Sequence, residues 1–117
     1  MTHKKLESWK ESIKLTIDIY KLTQNFPKEE LYGITNQIRR SAVSIPSNIA
    51  EGCARQTTKE TIQFLHISLG SIAELETQLI IANGLGYAEN INEFFDKIVL
   101  IRKLTIGLIK FHKSKKQ

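Results

Sequence analysis

The chain has 117 residues, of which 41% are hydrophobic, and it contains only two prolines and six glycines. This length suits one domain with a single core, and the composition excludes a disordered chain, so we expect one domain over residues 1–117. The formal net charge of +5 favours a polyanionic partner such as nucleic acid, but it is equally typical of an ordinary soluble surface.

Four segments of helical periodicity follow one another along the chain. The predicted helices run from Leu6 to about Gln24, from about Lys28 to Cys53, from about Thr58 to Asn83, and from about Asn90 to His112. Because short links join consecutive helices, the expected fold is all-α, an antiparallel up-down four-helix bundle. The basic tail at residues 113–117 is expected to fray.

The first segment carries two apolar stripes, although an outer helix of a monomeric bundle needs only one. The stripe assigned to the core contains Leu6, Trp9, Ile13, Ile17 and Tyr20. The second stripe lies on nearly the opposite face and contains Leu15, Ile19 and Leu22. Each of these three side chains would forgo roughly 1.5–3 kcal/mol of burial if it stayed in water. Self-association is the economical explanation.

The fourth segment repeats this pattern. Its core stripe contains Ile91, Phe94, Ile98, Ile101, Leu108 and Ile109. Its spare apolar residues are Phe95, Val99 and Ile106. A ring lets each subunit bury one spare stripe against a different surface of its neighbour. The predicted assembly is therefore a ring-forming homo-oligomer whose interface contains Leu15, Ile19, Leu22, Phe95, Val99 and Ile106.

Pro46 lies in the middle of the second segment, where it costs roughly 3 kcal/mol and leaves the carbonyl of Ala42 without its N–H partner. The apolar register nevertheless continues through it, at Ile34, Ile38, Ala42, Ile45 and Ile49. We therefore expect the helix to kink at Pro46 and continue, with nearby serine hydroxyls as partners for the loosened backbone. The alternative is a true break with a new helix starting at Asn48.

A polar cluster follows the proline. Asn48, Glu51 and Arg55 are spaced by three and four residues, so they share one helix face. This face can pair with Glu74 of the third segment. We interpret these four residues as a structural polar network, since buried polar groups can fix the register of a bundle.

Positive charge is confined to two parts of the chain. Residues 1–59 contain ten Lys and Arg and residues 97–117 contain seven, whereas residues 60–96 contain none. In the first segment His3, Lys10, Lys14 and Lys21 form a row between the two apolar stripes. The alternative to a binding role for this row is a solvated helix face. The candidate nucleic-acid-binding residues are Lys10, Lys14, Lys21, Arg39, Arg40, Lys103 and Lys110.

Catalytic and metal-binding patterns are missing from the sequence. No second His or Cys stands at zinc-ligand spacing from His66, and the Glu-x-x-His pairs of di-iron bundles are absent. There is no Gly-rich phosphate loop and no nucleophile elbow. We therefore expect a protein that is not an enzyme and holds no metal or cofactor.

The cellular location follows from similar reasoning. No apolar run reaches the length of about 18 residues that a membrane helix needs, and the polar start MTHKKLESWKES has no signal-peptide core. The single cysteine, Cys53, cannot form an internal disulfide, which agrees with a reducing compartment. We expect a cytoplasmic protein with no membrane partner.

Two linked motifs carry a resemblance to a known family. Residues 37–55 read QIRRSAVSIPSNIAEGCAR, and residues 57–87 read TTKETIQFLHISLGSIAELETQLIIANGLGY. Together with Trp9-Lys10, Phe26-Pro27 and the run from Glu74 to Leu79, they resemble the four helix bundle protein family. This family is also called the 23S ribosomal RNA intervening-sequence protein family. It is related to the accessory variability determinant of diversity-generating retroelements.

The resemblance implies an up-down bundle that assembles into a homopentamer, and no enzymatic activity. It also implies nucleic acid, and in the retroelement relatives a reverse transcriptase, as partners. Our functional hypothesis is an assembly that binds RNA or DNA through phosphate contacts without reading sequence. The alternative is an oligomeric scaffold or adaptor whose partner is another protein.

Overall fold

The computed structural model describes residues 2–115. The helices are α1 at Glu7–Thr23, α2 at Ile34–Cys53, α3 at Thr58–Gly84 and α4 at Asn92–Lys115. Short 3-10 turns occur at His3–Lys5 and Lys28–Glu30, and this part of the chain contains no strand. The predicted all-α fold with four helices is therefore confirmed.

Local chemistry sets where the helices begin and end. Thr57 caps α3, because its hydroxyl accepts a hydrogen bond from the backbone N–H of Glu60 at 3.1 Å and donates one to the Glu60 carboxylate at 2.9 Å. The link after α3 contains Gly86 at φ 81°, a conformation that favours glycine. These signals explain why the start of α3 was predicted correctly.

Two predicted boundaries were wrong. The second helix begins at Ile34, six residues after the predicted start at Lys28, because the 3-10 turn and Gly33 precede it. At the other end of the chain α4 continues to Lys115, three residues past its predicted end at His112, so residues 113–115 are helical and not frayed. Residues 116–117 of the predicted frayed tail lie outside the described part of the chain.

The four helices surround one core in the order of the sequence. α1 packs against α2 and α4, and α3 packs against the same two helices. The core side chains that are fully shielded from solvent include Leu15, Ile19, Ile38, Ile45, Ile49, Ile72, Leu75, Leu79, Ile98 and Ile101. No helix between residues 2 and 115 is both long and apolar enough to span a membrane.

The assignment of the two stripes of α1 was wrong. Leu15 and Ile19, predicted at an oligomer interface, are fully buried inside the chain, whereas Ile17 and Tyr20, predicted in the core, are 51% and 41% exposed. The reason lies in the small hydroxyl residues beside Leu15 and Ile19. Ser8, Ser12 and Thr23 are buried on the same face, where a small side chain lets the neighbouring helix come close. Because these three residues are polar, a stripe defined by apolar residues does not contain them.

The stripe of α4 was assigned correctly. Ile98, Ile101 and Ile109 are buried, and Phe94 and Leu108 pack against the core. Of the spare residues, Val99 and Ile106 are exposed, and Phe95 packs partly against the core.

α2 is continuous through Pro46. The alternative of a break with a new helix at Asn48 is therefore wrong. The carbonyl of Ala42, which the proline leaves without its usual N–H partner, accepts a hydrogen bond from a side chain of α1.

Candidate functional site

The motif around Pro46 forms a polar seam between α2 and α3. The hydroxyls of Ser44 and Ser71 lie 2.8 Å apart. Ser68 donates to the carbonyl of Ile45 and Thr61 donates to the carbonyl of Gly52, each at 2.9 Å. Small hydroxyl side chains are needed here, because a larger group would hold the two helices apart. The seam is part of the fold, and its donors are satisfied within the chain.

The carbonyl of Ala42 accepts a hydrogen bond from the hydroxyl of Thr16 in α1, at 3.1 Å. In an ordinary helix this carbonyl would bond the N–H of residue 46, which a proline does not have. The same hydroxyl lies 2.7 Å from the carbonyl of Ser12, so its one proton is shared between two acceptors. Sequence reasoning expected nearby serines of α2 in this role and missed Thr16.

Gly52 marks the closest approach of α2 and α3. A Cβ atom at this position would lie 3.2 Å from the Cβ of Phe64 and 3.2 Å from the carbonyl oxygen of Thr61. These distances are too short for comfortable packing. The glycine of the motif therefore favours this close spacing of the helices.

The predicted polar network is formed only in part. Arg55 pairs with Glu51 along the helix, and the amide of Asn48 donates to the carbonyl and to the hydroxyl of Ser44, each at 2.8 Å. Glu74 does not join them, and its inclusion was wrong. It lines a separate polar groove between α2 and α3 with Gln37, Arg40, Ser41, Ser44 and Gln78.

The basic row of α1 is largely neutralised by acids on the same helix. Lys10 lies 3.7 Å from a carboxylate oxygen of Glu7, and Lys14 lies 3.5 Å from one of Glu11. Such exposed pairs contribute little to stability, but they lower the local positive potential. Lys21 lines a groove that also contains Asp18 and Glu93.

The other candidate residues for nucleic-acid binding differ in whether their side chains are bound within the chain or exposed to solvent. Arg39 is engaged within the bundle, because its Nε donates to Thr23 at 2.8 Å and its guanidinium lies 4.7 Å from the ring centre of Tyr20. Arg40, Lys103 and Lys110 are exposed. The structure thus does not gather the predicted basic residues on one face.

Two sets of apolar side chains at the surface lie on opposite sides of the bundle. The first set, the α1/α2 face, consists of exposed Ile17, Tyr20 and Val43 and half-buried Ile13. The second set, the α3/α4 face, consists of exposed Ile80, Val99 and Ile106 and half-buried Phe95. Exposed apolar side chains outside these two sets include Leu31, Tyr32, Ile67, Ile81, Leu85, Leu100 and Phe111. An ion pair between Glu76 and Arg102 lies one helical turn from Ile80 and from Ile106, which places those two residues beside the junction of α3 and α4. Because the helices contact in ring order, these two faces are on opposite sides.

The ionisable groups offer no assembled reaction centre among residues 2–115. No three His, Cys, Asp or Glu side chains converge there as metal ligands would. Burial raises the pKa of the Cys53 thiol, which disfavours the nucleophilic thiolate. Burial, with the nearby charge of Lys115, lowers the pKa of His112 and favours its neutral form near pH 7.

Comparison with known proteins gives a family. The family model described as 23S rRNA-intervening sequence protein matches residues 4–107. This match covers most of the chain, which therefore belongs to that family, as the resemblance of its motifs predicted. No curated protein matches the chain.

Proposed function

We propose that this member of the 23S rRNA-intervening sequence protein family is a non-enzymatic, self-assembling bundle that binds RNA or DNA through phosphate contacts. The observation that carries the proposal is the pair of apolar faces on opposite sides of the bundle. Soluble monomers seldom keep large aliphatic groups clustered in water, and each is worth roughly 1.5–3 kcal/mol when buried.

The proposed assembly joins the α1/α2 face of one subunit to the α3/α4 face of the next. Contacts between unlike surfaces close into a ring when the rotation between subunits is right. The resemblance of the motifs favours five subunits. Of the residues first assigned to the interface, Phe95, Val99 and Ile106 are retained. Leu22 packs partly against the core and is left out, and Leu15 and Ile19 are replaced by Ile17 and Tyr20.

Within each subunit we propose an up-down order of helices with a bend at Pro46. The contacts between neighbouring helices support the order: Thr16 meets Ala42, and the later Thr23 meets the earlier Arg39. The same reversal relates Ser44 to Ser71 and Gly52 to Thr61 in α2 and α3. The hydrogen bond from Thr16 to the carbonyl of Ala42 supports the bend, because this carbonyl has its partner in α1 instead of in α2.

Nucleic-acid binding is supported by the net charge of +5 and by the family's link to ribosomal RNA inserts. Lysines carried on helices can neutralise phosphates but do not read base edges, so the proposed binding is independent of sequence. The neutralised pairs of Lys10 and Lys14 favour the second candidate, a scaffold for another protein, with a reverse transcriptase as one partner class.

Salt dependence separates these two functions. The affinity for a labelled oligouridine is measured by fluorescence anisotropy between about 50 and about 200 mM salt. A protein that neutralises several phosphates loses orders of magnitude in affinity over this range, with a linear relation between log affinity and log salt concentration. Binding that is absent, or that does not change with salt, contradicts the nucleic-acid proposal and favours the scaffold.

A further inference from the structure

We infer that nucleic-acid phosphates bind at one end of the bundle, where the start of α1, the link from α2 to α3, and the end of α4 meet. This inference rests on the proposed nucleic-acid function and names the surface that performs it. This surface shares only Lys10 and Lys110 with the candidate residues of the sequence, and only the fold brings it together.

Three parts of the chain converge at this end. A single groove there is lined by Leu6 before α1, by residues from Cys53 to Thr61 between α2 and α3, and by residues from Leu108 to Lys115 in α4. A second groove joins Ser8 of α1 to Gly107 and Phe111 of α4. Residues far apart in the sequence are therefore neighbours on this surface.

The charge at this end, which we call the basic end, is strongly positive. Its basic residues are Lys4, Lys5, Lys10, Arg55, Lys59, Lys110, Lys113 and Lys115, all of them exposed. Its acidic residues are Glu7, Glu11, Glu51 and Glu60. Eight positive charges thus stand against four negative ones.

The opposite end is nearly balanced in charge. Tyr87 in the link between α3 and α4 bonds Glu30 of the second 3-10 turn, and Lys21 of α1 lines a groove with Glu93 of α4, so these segments meet there. The basic residues of this end are Lys21, Lys28, Arg39, Arg40 and Lys97. Its acidic residues are Asp18, Glu29, Glu30, Glu89, Glu93 and Asp96. The molecule is 50 Å long, several times the screening length of about 8–10 Å at physiological salt. The charges at one end therefore have little effect on the electrostatic potential at the other end.

The acids of the basic end are already engaged. Glu7 pairs with Lys10, Glu11 with Lys14 and Glu51 with Arg55, and Glu60 bonds the Thr57 hydroxyl. Among residues 2–115 the remaining lysines of this end form no ion pair. They are therefore available to phosphates.

An exposed aromatic ring lies among these charges. Phe111 is 45% exposed, and the ammonium group of Lys115 lies 4.7 Å from its ring centre. Lysines that hold a backbone beside a ring on which a base can stack are the combination used by proteins that bind single strands. The basic end therefore fits a single-stranded nucleic acid.

The test compares the two ends of the same molecule. Lys110→Gln with Lys113→Gln removes two charges from the basic end, and the matched control, Lys21→Gln with Lys28→Gln, removes two from the opposite end. All four lysines are exposed, so both variants should keep the parent's helical circular dichroism and native mass. Affinity for oligouridine is measured against salt concentration for the parent and for both variants.

The basic-end variant should lower the slope of log affinity against log salt by about 1.4 for each engaged subunit, since each single-strand phosphate contact contributes about 0.7. The control should leave the slope unchanged. A second variant on another element, Lys4→Gln with Lys5→Gln, should reproduce the loss. Equal losses at both ends, or a loss only in the control, overturn the location while the nucleic-acid function stands. A parent without salt-dependent binding overturns the proposed function itself.

Discussion

Thr16 makes it possible for Pro46 to lie inside a helix. A proline at this position costs roughly 3 kcal/mol, partly because the carbonyl of Ala42 loses its partner. The Thr16 hydroxyl supplies a donor from α1, and Ala42 itself is fully buried, so no water would otherwise reach this carbonyl easily. The proline thus turns a bond within α2 into a bond between α1 and α2.

This relation predicts coupling between the two residues. Thr16→Val keeps the shape of the side chain but leaves the Ala42 carbonyl unpaired, at a cost of about 1–3 kcal/mol. In a Pro46→Ala background the new N–H of residue 46 can satisfy that carbonyl, so Thr16→Val should cost at least about 0.5 kcal/mol less. Urea unfolding of the four proteins gives the coupling energy. The same cost of Thr16→Val in both backgrounds would refute the role of Thr16.

The sequence offered no signal for this contact. Thr16 and Ala42 are 26 residues apart, and Thr16 stands outside both apolar stripes of its segment. The sequence does predict that the helix continues through Pro46, because the apolar register extends across the proline. Only the packing of α1 on α2 decides which donor reaches the free carbonyl.

At the scale of the elements, the sequence predicts that each of the four helices forms, but it does not always predict which face of a helix is buried. In α4 the core stripe is the longer one, and its prediction was correct. In α1 two stripes compete, and buried Ser8, Ser12 and Thr23 decide between them. Ser12 and Thr23 satisfy their hydroxyls on carbonyls of their own helix, at 2.9 Å and 2.8 Å, so they can be buried at little cost.

The close approach of α2 and α3 predicts opposite effects for two glycines. Gly52→Ala adds a Cβ 3.2 Å from Phe64 and from the Thr61 carbonyl, so it should lower the free energy of unfolding by about 1–3 kcal/mol. Gly70→Ala, within α3, meets nothing within 4 Å and should raise it by about 0.5–1 kcal/mol. Thermal or urea unfolding measures both. A stabilising effect of Gly52→Ala would contradict the close approach of α2 and α3 at this position.

A hydrogen bond between two connecting segments predicts a dependence on pH. Tyr87 donates to the Glu30 carboxylate at 2.9 Å, which raises the pKa of the Tyr87 phenol above its usual value of 10. Because the folded-state pKa is the higher one, the contribution to stability is complete below pH 10 and is lost as the pH rises through the folded-state pKa. Tyr87→Phe should therefore lower stability at pH 8 and reduce the loss between pH 9 and 11 in urea unfolding. An unchanged profile would contradict this.

At the scale of the whole molecule, the bundle combines apolar sides with charged ends. If subunits join side by side with their long axes nearly parallel, the basic ends of a closed ring lie together on one rim. A single strand could then contact several subunits at once, which raises the apparent affinity without any new contact within one subunit. Assembly and nucleic-acid binding are thus linked in the proposed function.

The central claim is that the α1/α2 face of one subunit binds the α3/α4 face of another. Ile17→Glu disrupts the first face and Val99→Glu the second, and both residues are exposed, so each variant should fold. Native mass measurement of the parent, of each variant and of their equal mixture tests the claim. The parent should have a mass of about 67 kDa, five times the 13.4 kDa of one chain, and each variant alone should be monomeric. The mixture should form a dimer of about 27 kDa, because it contains one intact face of each kind. A monomeric parent, a variant that keeps the parent's mass, or a mixture that stays monomeric would contradict it.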